Sequence, residues 1–227
     1  MKFTTSWDDG HALDIHLCNL LNKYKLKATF YIPISAINTS LTLSQLKAIS
    51  KHHEIGAHTI THRNLPDLSE QEQWNEISDS KKILEKKLNI KVQSFCYPRG
   101  KFNKTTVKLV SDAGFTYGRT TERFCFSVPK NPLVSGTTMQ TLLFKADLPR
   151  FIRLMNFSPA SLRGLYDWNF AAKSLLSYAQ KHDSIFHLWG HSWEIDKFQQ
   201  WDALERFFKL VSKESNCNFA TNKNLLS

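Results

Sequence analysis

Strand and helix signals take turns along most of this chain, with short connections between them. Lys2 to Ser6 reads as a strand, and Ala12 to Lys23 as a helix with Leu13, His16, Leu17, Leu20 and Leu21 near one face. Ala28 to Ile32 is a compact strand closed by Pro33, and Thr42 or Ser44 caps a helix running to about Lys51. Glu54 to Ala57 is strand-like. Ser69-Glu-Gln-Glu72 is a capping box that opens a helix reaching Leu88. Val92 to Cys96 reads as strand, Lys104 to Ala113 as helix, and Gly114 as its C-cap before a strand at Phe115 to Tyr117. Regularity fades between Thr120 and Asn156, a stretch with prolines and turn residues expected to form a loop-rich cover. A helix at Trp168 to Lys181, a strand at Ile185 to Trp189, a helix at Gln199 to Ser212 and a short strand at Asn218 to Ala220 then resume the pattern.

Repeated strand–helix units predict a parallel sheet covered by helices. At 227 residues the chain reads as a single domain, 1–227, able to bury a substantial core. So many strands in one domain favour an α/β fold of the deformed (β/α) barrel type, with about seven parallel strands and outer helices. Functional groups of a barrel collect at the C-terminal ends of its strands. Asp8-Asp9, His58 and His62, Tyr97-Pro98 and Gly190-His191 all fall just after predicted strands.

Two acids and a histidine pair at strand ends are the ingredients of a metal-hydrolase site. Adjacent aspartates on an extended backbone point in opposite directions, so one can reach a metal while the other meets the reacting water. In order and spacing these residues resemble the polysaccharide deacetylases, the NodB-homology domain of carbohydrate esterase family 4. Thr5-Ser-Trp-Asp-Asp-Gly10 is similar to that family's T-F-D-D-G motif, and His58-Thr-Ile-Thr-His62 to its H-[S/T]-x-x-H motif. Phe95-Cys-Tyr-Pro-Arg-Gly100 resembles a variant of its third motif, and Phe186-His-Leu-Trp-Gly-His191 its last.

The resemblance implies a NodB-like barrel and a divalent metal ion, zinc first, with cobalt, nickel or manganese as alternatives. It implies Asp9, His58 and His62 as metal ligands, Asp8 as catalytic base and His191 as general acid, with His187 the alternative acid. The backbone N–H of Arg99 would stabilise the oxyanion; Tyr97, Pro98 and Trp189 would meet substrate. Trp189 and Trp193 suit a sugar-stacking platform or core packing equally. His11, His16, His52, His53 and His182 read as helix or surface residues. Two departures stand out. The family's third motif carries an arginine two residues before its proline, where this chain has Cys96; Arg99 and Arg119 are candidates for its place. The D-x-x-D-W-like motif has no counterpart where the family has it: Gly118-Arg-Thr-Thr121 occupies that region, and Asp167-Trp168 comes too late in the chain.

The implied activity is metal-dependent removal of an N-acetyl or O-acetyl group from an amino-sugar glycan or its precursor. Hydrolysis of a non-sugar amide or cyclic ureide, and an inactive glycan-binding protein with the same fold, are the alternatives. A two-His-one-carboxylate Fe(II) site is a third, disfavoured by the alternation and by Asp8. The four scattered cysteines form no C-x-x-C pair and suit a reducing compartment. No apolar run long enough to span a membrane and no signal-peptide pattern is readable, so a cytoplasmic protein is expected. The net charge of +10 reads first as solvated helix faces, and secondarily as attraction to an anionic substrate or membrane surface. No zinc-finger or RNP-type motif points to nucleic acid.

Overall fold

Along β1 (Lys2–Asp8), Phe3, Thr5 and Trp7 alternate with Thr4, Ser6 and Asp8, and nearly all of them are buried. Successive strand residues face opposite sides, so burial of both sets means that both faces of the sheet are covered. The odd set packs outward: Phe3 stacks on Phe186, and Trp7 meets Phe208 edge-on. The even set is polar and turns to the barrel interior. Thr4 donates to Asn222 Oδ1 (2.9 Å), Ser6 lies 2.8 Å from His187 Nε2, and Asp8 pairs with Arg119.

The computed structural model describes residues 1–142, 145–156, 162–164 and 166–226. The other strands are β2 (Ala28–Ile32), β3 (Glu54–Ala57), β4 (Ser94–Cys96), β5 (Tyr117–Arg119), β6 (Met139–Gln140), β7 (Ile185–Gly190) and β8 (Asn218–Phe219). They run parallel in the order β5-β4-β3-β2-β1-β7-β6, with β8 paired to the start of β1. The helices are α1 (Asp14–Lys23), α2 (Leu43–Ser50), α3 (Glu70–Trp74), α4 (Ser80–Leu88), α5 (Lys104–Asp112), α6 (Leu148–Leu154), α7 (Trp168–Lys181), α8 (Ser192–Lys197) and α9 (Trp201–Val211). Their apolar faces cover the sheet; Phe207 of α9 lies against Phe3, Trp168 and Phe186. The curled parallel sheet with outer helices is the expected deformed (β/α) barrel. No helix among the described residues is long and apolar enough to cross a membrane.

Three local expectations need revision. The supposed loop-rich cover supplies barrel wall over 132–141. Gly118 N–H donates to Pro132 O (2.9 Å) and Thr120 N–H to Ser135 O (2.8 Å), while Thr138 and Thr141 N–H donate to His187 O and Trp189 O (2.9 Å each). One segment thus ties the β5 edge to the β7 edge. The helix expected from Ser69 to Leu88 contains a π-helical turn, Asn75–Asp79, between α3 and α4. The strand expected at Phe115 to Tyr117 forms at Tyr117–Arg119, because β4 sets its register: Cys96 lies opposite Arg119.

Candidate active site

The inward pleats of β1, β3, β4 and β5 bring Asp8, His58, Cys96 and Arg119 to one end of the barrel. Asp9 then leaves β1 with φ 78, so its carboxylate and that of Asp8 diverge through a left-handed turn rather than by the pleat of an extended chain. Asp9 Oδ1 lies 3.8 Å from His58 Nε2 and 3.6 Å from His62 Nε2. All three donor atoms fall within 4.8 Å of one another, a spread that one cation can draw together.

His58 continues the inward face of β3. Its Nδ1 lies 2.8 Å from the Cys96 carbonyl, which assigns the proton to Nδ1 and leaves the Nε2 lone pair for a ligand. Burial lowers its pKa to about 4 against the opposing pull of Asp8, so the ring is neutral at pH 7. Gly56, one inward position earlier, has no room for a side chain: an added Cβ would stand 2.4 Å from the Tyr31 ring.

Asp8 sits deeper. Burial favours its neutral form, but the Arg119 guanidinium, aided by His58 and His191, outweighs burial and holds the carboxyl below its ordinary value. Arg119 is itself fully buried, with its guanidinium carbon 4.6 Å from the Trp189 ring and 5.3 Å from the Tyr31 ring. The Cys96 thiol points at Asp8 Oδ2 from 3.8 Å.

His191 faces Asp9 from the other side, with Nε2 3.6 Å from Asp9 Oδ2. Its Nδ1 meets Glu194 Oε2 at 2.7 Å. Burial opposes charge on this ring, yet Glu194, Asp8 and Asp9 together raise its pKa above the ordinary histidine value. His187 has the opposite environment: burial and nearby Arg119 push it down to about 3, and Ser6 occupies its Nε2. The two candidates for an acid are therefore shifted in opposite directions, His191 up and His187 down.

A sequence model of the polysaccharide deacetylases matches residues 2–118, more than half of the chain. The chain belongs to the polysaccharide deacetylase family. It is 33% identical over 121 residues to the Bacillus subtilis (strain 168) protein YxkH, whose name assigns it provisionally to the polysaccharide deacetylases. It is 31% identical over 112 residues to a peptidoglycan-N-acetylglucosamine deacetylase of Bacillus cereus (strain ATCC 14579). These matches take in 52% and 48% of this chain but 43% and 52% of those proteins, so the chain spans about half the length of its curated relatives. Among solved structures it resembles the Streptococcus pyogenes deacetylase PplD, solved in complex with acetate. That likeness has a TM-score of 0.57 and 26% identity over 71% of this chain and 69% of the other.

Against the polysaccharide deacetylase pattern, the structure brings Asp8, Asp9, His58, His62 and His191 together. All three expected substrate residues, Tyr97, Pro98 and Trp189, are buried. Tyr97 is fully buried and its hydroxyl donates to Leu133 O (2.8 Å), while Trp189 is spent on Arg119. Pro98 is buried, and Arg99 carries a left-handed backbone (φ 55) in the turn after β4. His53, expected in a helix or at the surface, follows the end of α2 and is buried against Phe30.

Sequence reasoning missed Glu194, Glu76, Asp14 and the role of Trp193, whose indole N–H donates to Asp9 Oδ2 at 3.3 Å. Glu194 was detectable as a carboxylate three residues past His191. Asp14 was not: it is a fully buried acid receiving the Ser192 hydroxyl at 2.6 Å, and mainly burial raises its pKa to about 7.

Proposed function

We propose that this chain is a divalent-metal-dependent deacetylase that removes an acetyl group from the nitrogen of an amino sugar in a glycan or glycan precursor. The observation that supports it best is geometric: the Asp9, His58 and His62 cluster lies between a buried acid paired with Arg119 on one side and, on the other, a histidine held by Glu194 that binds its proton more tightly than usual. Asp9, His58 and His62 fit a divalent ion. Their donors are one carboxylate and two imidazoles, the His58 ring is neutral with Nε2 open, and zinc, cobalt, nickel and manganese all accept such a set. When bound there, the ion would polarise the acyl carbonyl and make water a stronger acid.

The chain's own residues do the proton work. Asp8, kept ionised by Arg119, takes the proton of the attacking water. His191, whose hold on a proton Glu194 strengthens, hands a proton to the departing nitrogen. Each transfer is typically worth about a hundred- to ten-thousand-fold in rate. The Arg99 N–H, in the left-handed turn after β4, is the proposed donor to the developing oxyanion.

The test is a release assay over N-acetylated chitooligosaccharides, nucleotide sugars and small non-sugar amides, on protein loaded with zinc or cobalt. Metal content is measured in parallel for the wild type and Asp9→Ala. The reading expects about one ion in the wild type, a clear loss in Asp9→Ala, and amine release from amino sugars. Equal, near-zero metal in both proteins would sink it; release from the non-sugar amides alone would replace the substrate class.

A further inference from the structure

A histidine pair four residues apart is usually aligned by a helix. Here it is not. His58 to His62 follow β3 as a loop, and two of its residues, Thr59 and His62, hold left-handed backbone conformations (φ 67 and 58). For a β-branched residue such as Thr59 that conformation is strained and persists only where surrounding contacts impose it.

Three of the contacts that hold this loop converge on one residue. Ile60 and Thr61 N–H both donate to Glu76 Oε2, at 2.8 and 2.9 Å, and the Thr61 hydroxyl donates to Glu76 Oε1 at 2.5 Å. Inside the loop, His62 N–H donates to Thr59 Oγ1 (3.0 Å). From the opposite side, Ile34 and Ser35 N–H donate to Thr59 O and Ile60 O (3.1 and 2.9 Å). Glu76 stands on the π-helical turn between α3 and α4, and it is buried. An extra residue in a helical turn re-aims the side chains that follow, and such turns recur at functional sites.

We infer that Glu76 is a positioning residue for metal binding: it clamps the 58–62 loop so that the His58 and His62 rings face one ion. The inference rests on reading Asp9, His58 and His62 as metal ligands. Glu76 itself touches no ligand atom and acts through the two backbone N–H groups and the Thr61 hydroxyl. Without it, the loop relaxes toward ordinary backbone angles and His62, the more exposed of the pair, drifts from His58.

The experiment is zinc affinity by competition with a chromophoric chelator, together with amide hydrogen exchange at Ile60 and Thr61. Proteins compared are the wild type, Glu76→Ala, Glu76→Gln and His62→Ala, each with its melting curve. Glu76→Ala is expected to weaken zinc about 10- to 100-fold while remaining folded, and to speed exchange at both amides. Glu76→Gln keeps an oxygen for the two N–H donors and places its amide beside the Thr61 hydroxyl, which rotates to accept. It should bind zinc within about threefold of the wild type, a rescue that general loss of stability would not give. If Glu76→Ala does not fold, Glu76→Asp, with a shorter reach, should show the intermediate loss. Unchanged affinity and unchanged exchange in the Ala or Asp variant would overturn the inference, as would equal loss in the Gln variant. A wild type that binds no better than His62→Ala refutes the metal reading instead, and the inference with it. The exchange data then still report whether Glu76 holds the loop.

Discussion

Replacing Arg119 with methionine should leave Asp8 as a buried charge with no partner, and the damage should depend on pH. Both side chains of the pair are almost wholly inaccessible, 0% and 4% exposed. Breaking such a pair from one side costs about 3–5 kcal/mol, mostly for the stranded charge. In the wild type the Asp8 carboxyl is held below its ordinary value, so its contribution is present above the unfolded pKa and disappears as pH falls through the folded one. In Arg119→Met, burial is no longer outweighed and the folded pKa rises above the unfolded value. The variant's deficit should therefore be open already at about pH 4, from the lost wild-type contribution, and grow above it by about 1.4 kcal/mol per pH unit until the variant's folded pKa is passed. Urea unfolding followed by tryptophan fluorescence at pH 7.5 and pH 4.5 measures this directly. The expected loss is about 3–5 kcal/mol at pH 7.5 and distinctly less at pH 4.5, and adding Asp8→Asn should recover part of it. The acid limb of any hydrolytic activity should move to higher pH for the same reason. A loss equal at both pH values and untouched by Asp8→Asn would mean that Arg119 supplies packing alone and that something else keeps Asp8 ionised.

Asp14→Asn tests the buried acid behind the site. A carboxyl raised to about 7 in the fold binds a proton that the unfolded chain has released, so stability declines as pH climbs from about 4 to about 7. The variant retains an acceptor for Ser192, should flatten that decline, and should gain about 2–3 kcal/mol over the wild type at pH 8 relative to pH 5; identical pH profiles in urea titrations would contradict it. Glu194→Gln removes the charge that helps keep His191 protonated. The alkaline limb of kcat should shift to lower pH with KM little changed, whereas an unmoved limb would take His191 out of the acid role.

Much of the fold was legible where propensity and burial agree. Ala28–Ile32, Glu54–Ala57 and Trp168–Lys181 form with the bounds read from the pattern, because their apolar periodicity matches the faces they bury. The wall at 132–141 was not legible: Ser135-Gly-Thr-Thr-Met-Gln140 has no apolar alternation, and its ladder is fixed by the two strand edges it joins. The π turn leaves no propensity signal, so the clamp by Glu76 was hidden as well. The Asp9, His58 and His62 cluster was readable because all three lie in two short motifs. Arg119 was harder. A charged residue at a strand end reads as solvent-exposed until pairing of β4 with β5 sets it opposite Cys96, and the small thiol leaves space for its guanidinium to reach Asp8.

The proposed function gives two neighbouring carboxylates different work, Asp9 toward a metal and Asp8 toward water. That division is tested by the turnover of Asp8→Asn on an N-acetylated amino sugar, with zinc content determined on the same sample. Zinc content equal to the wild type and activity reduced by about a hundredfold or more are expected. An Asp8→Asn protein that keeps its zinc and its full rate would contradict the division.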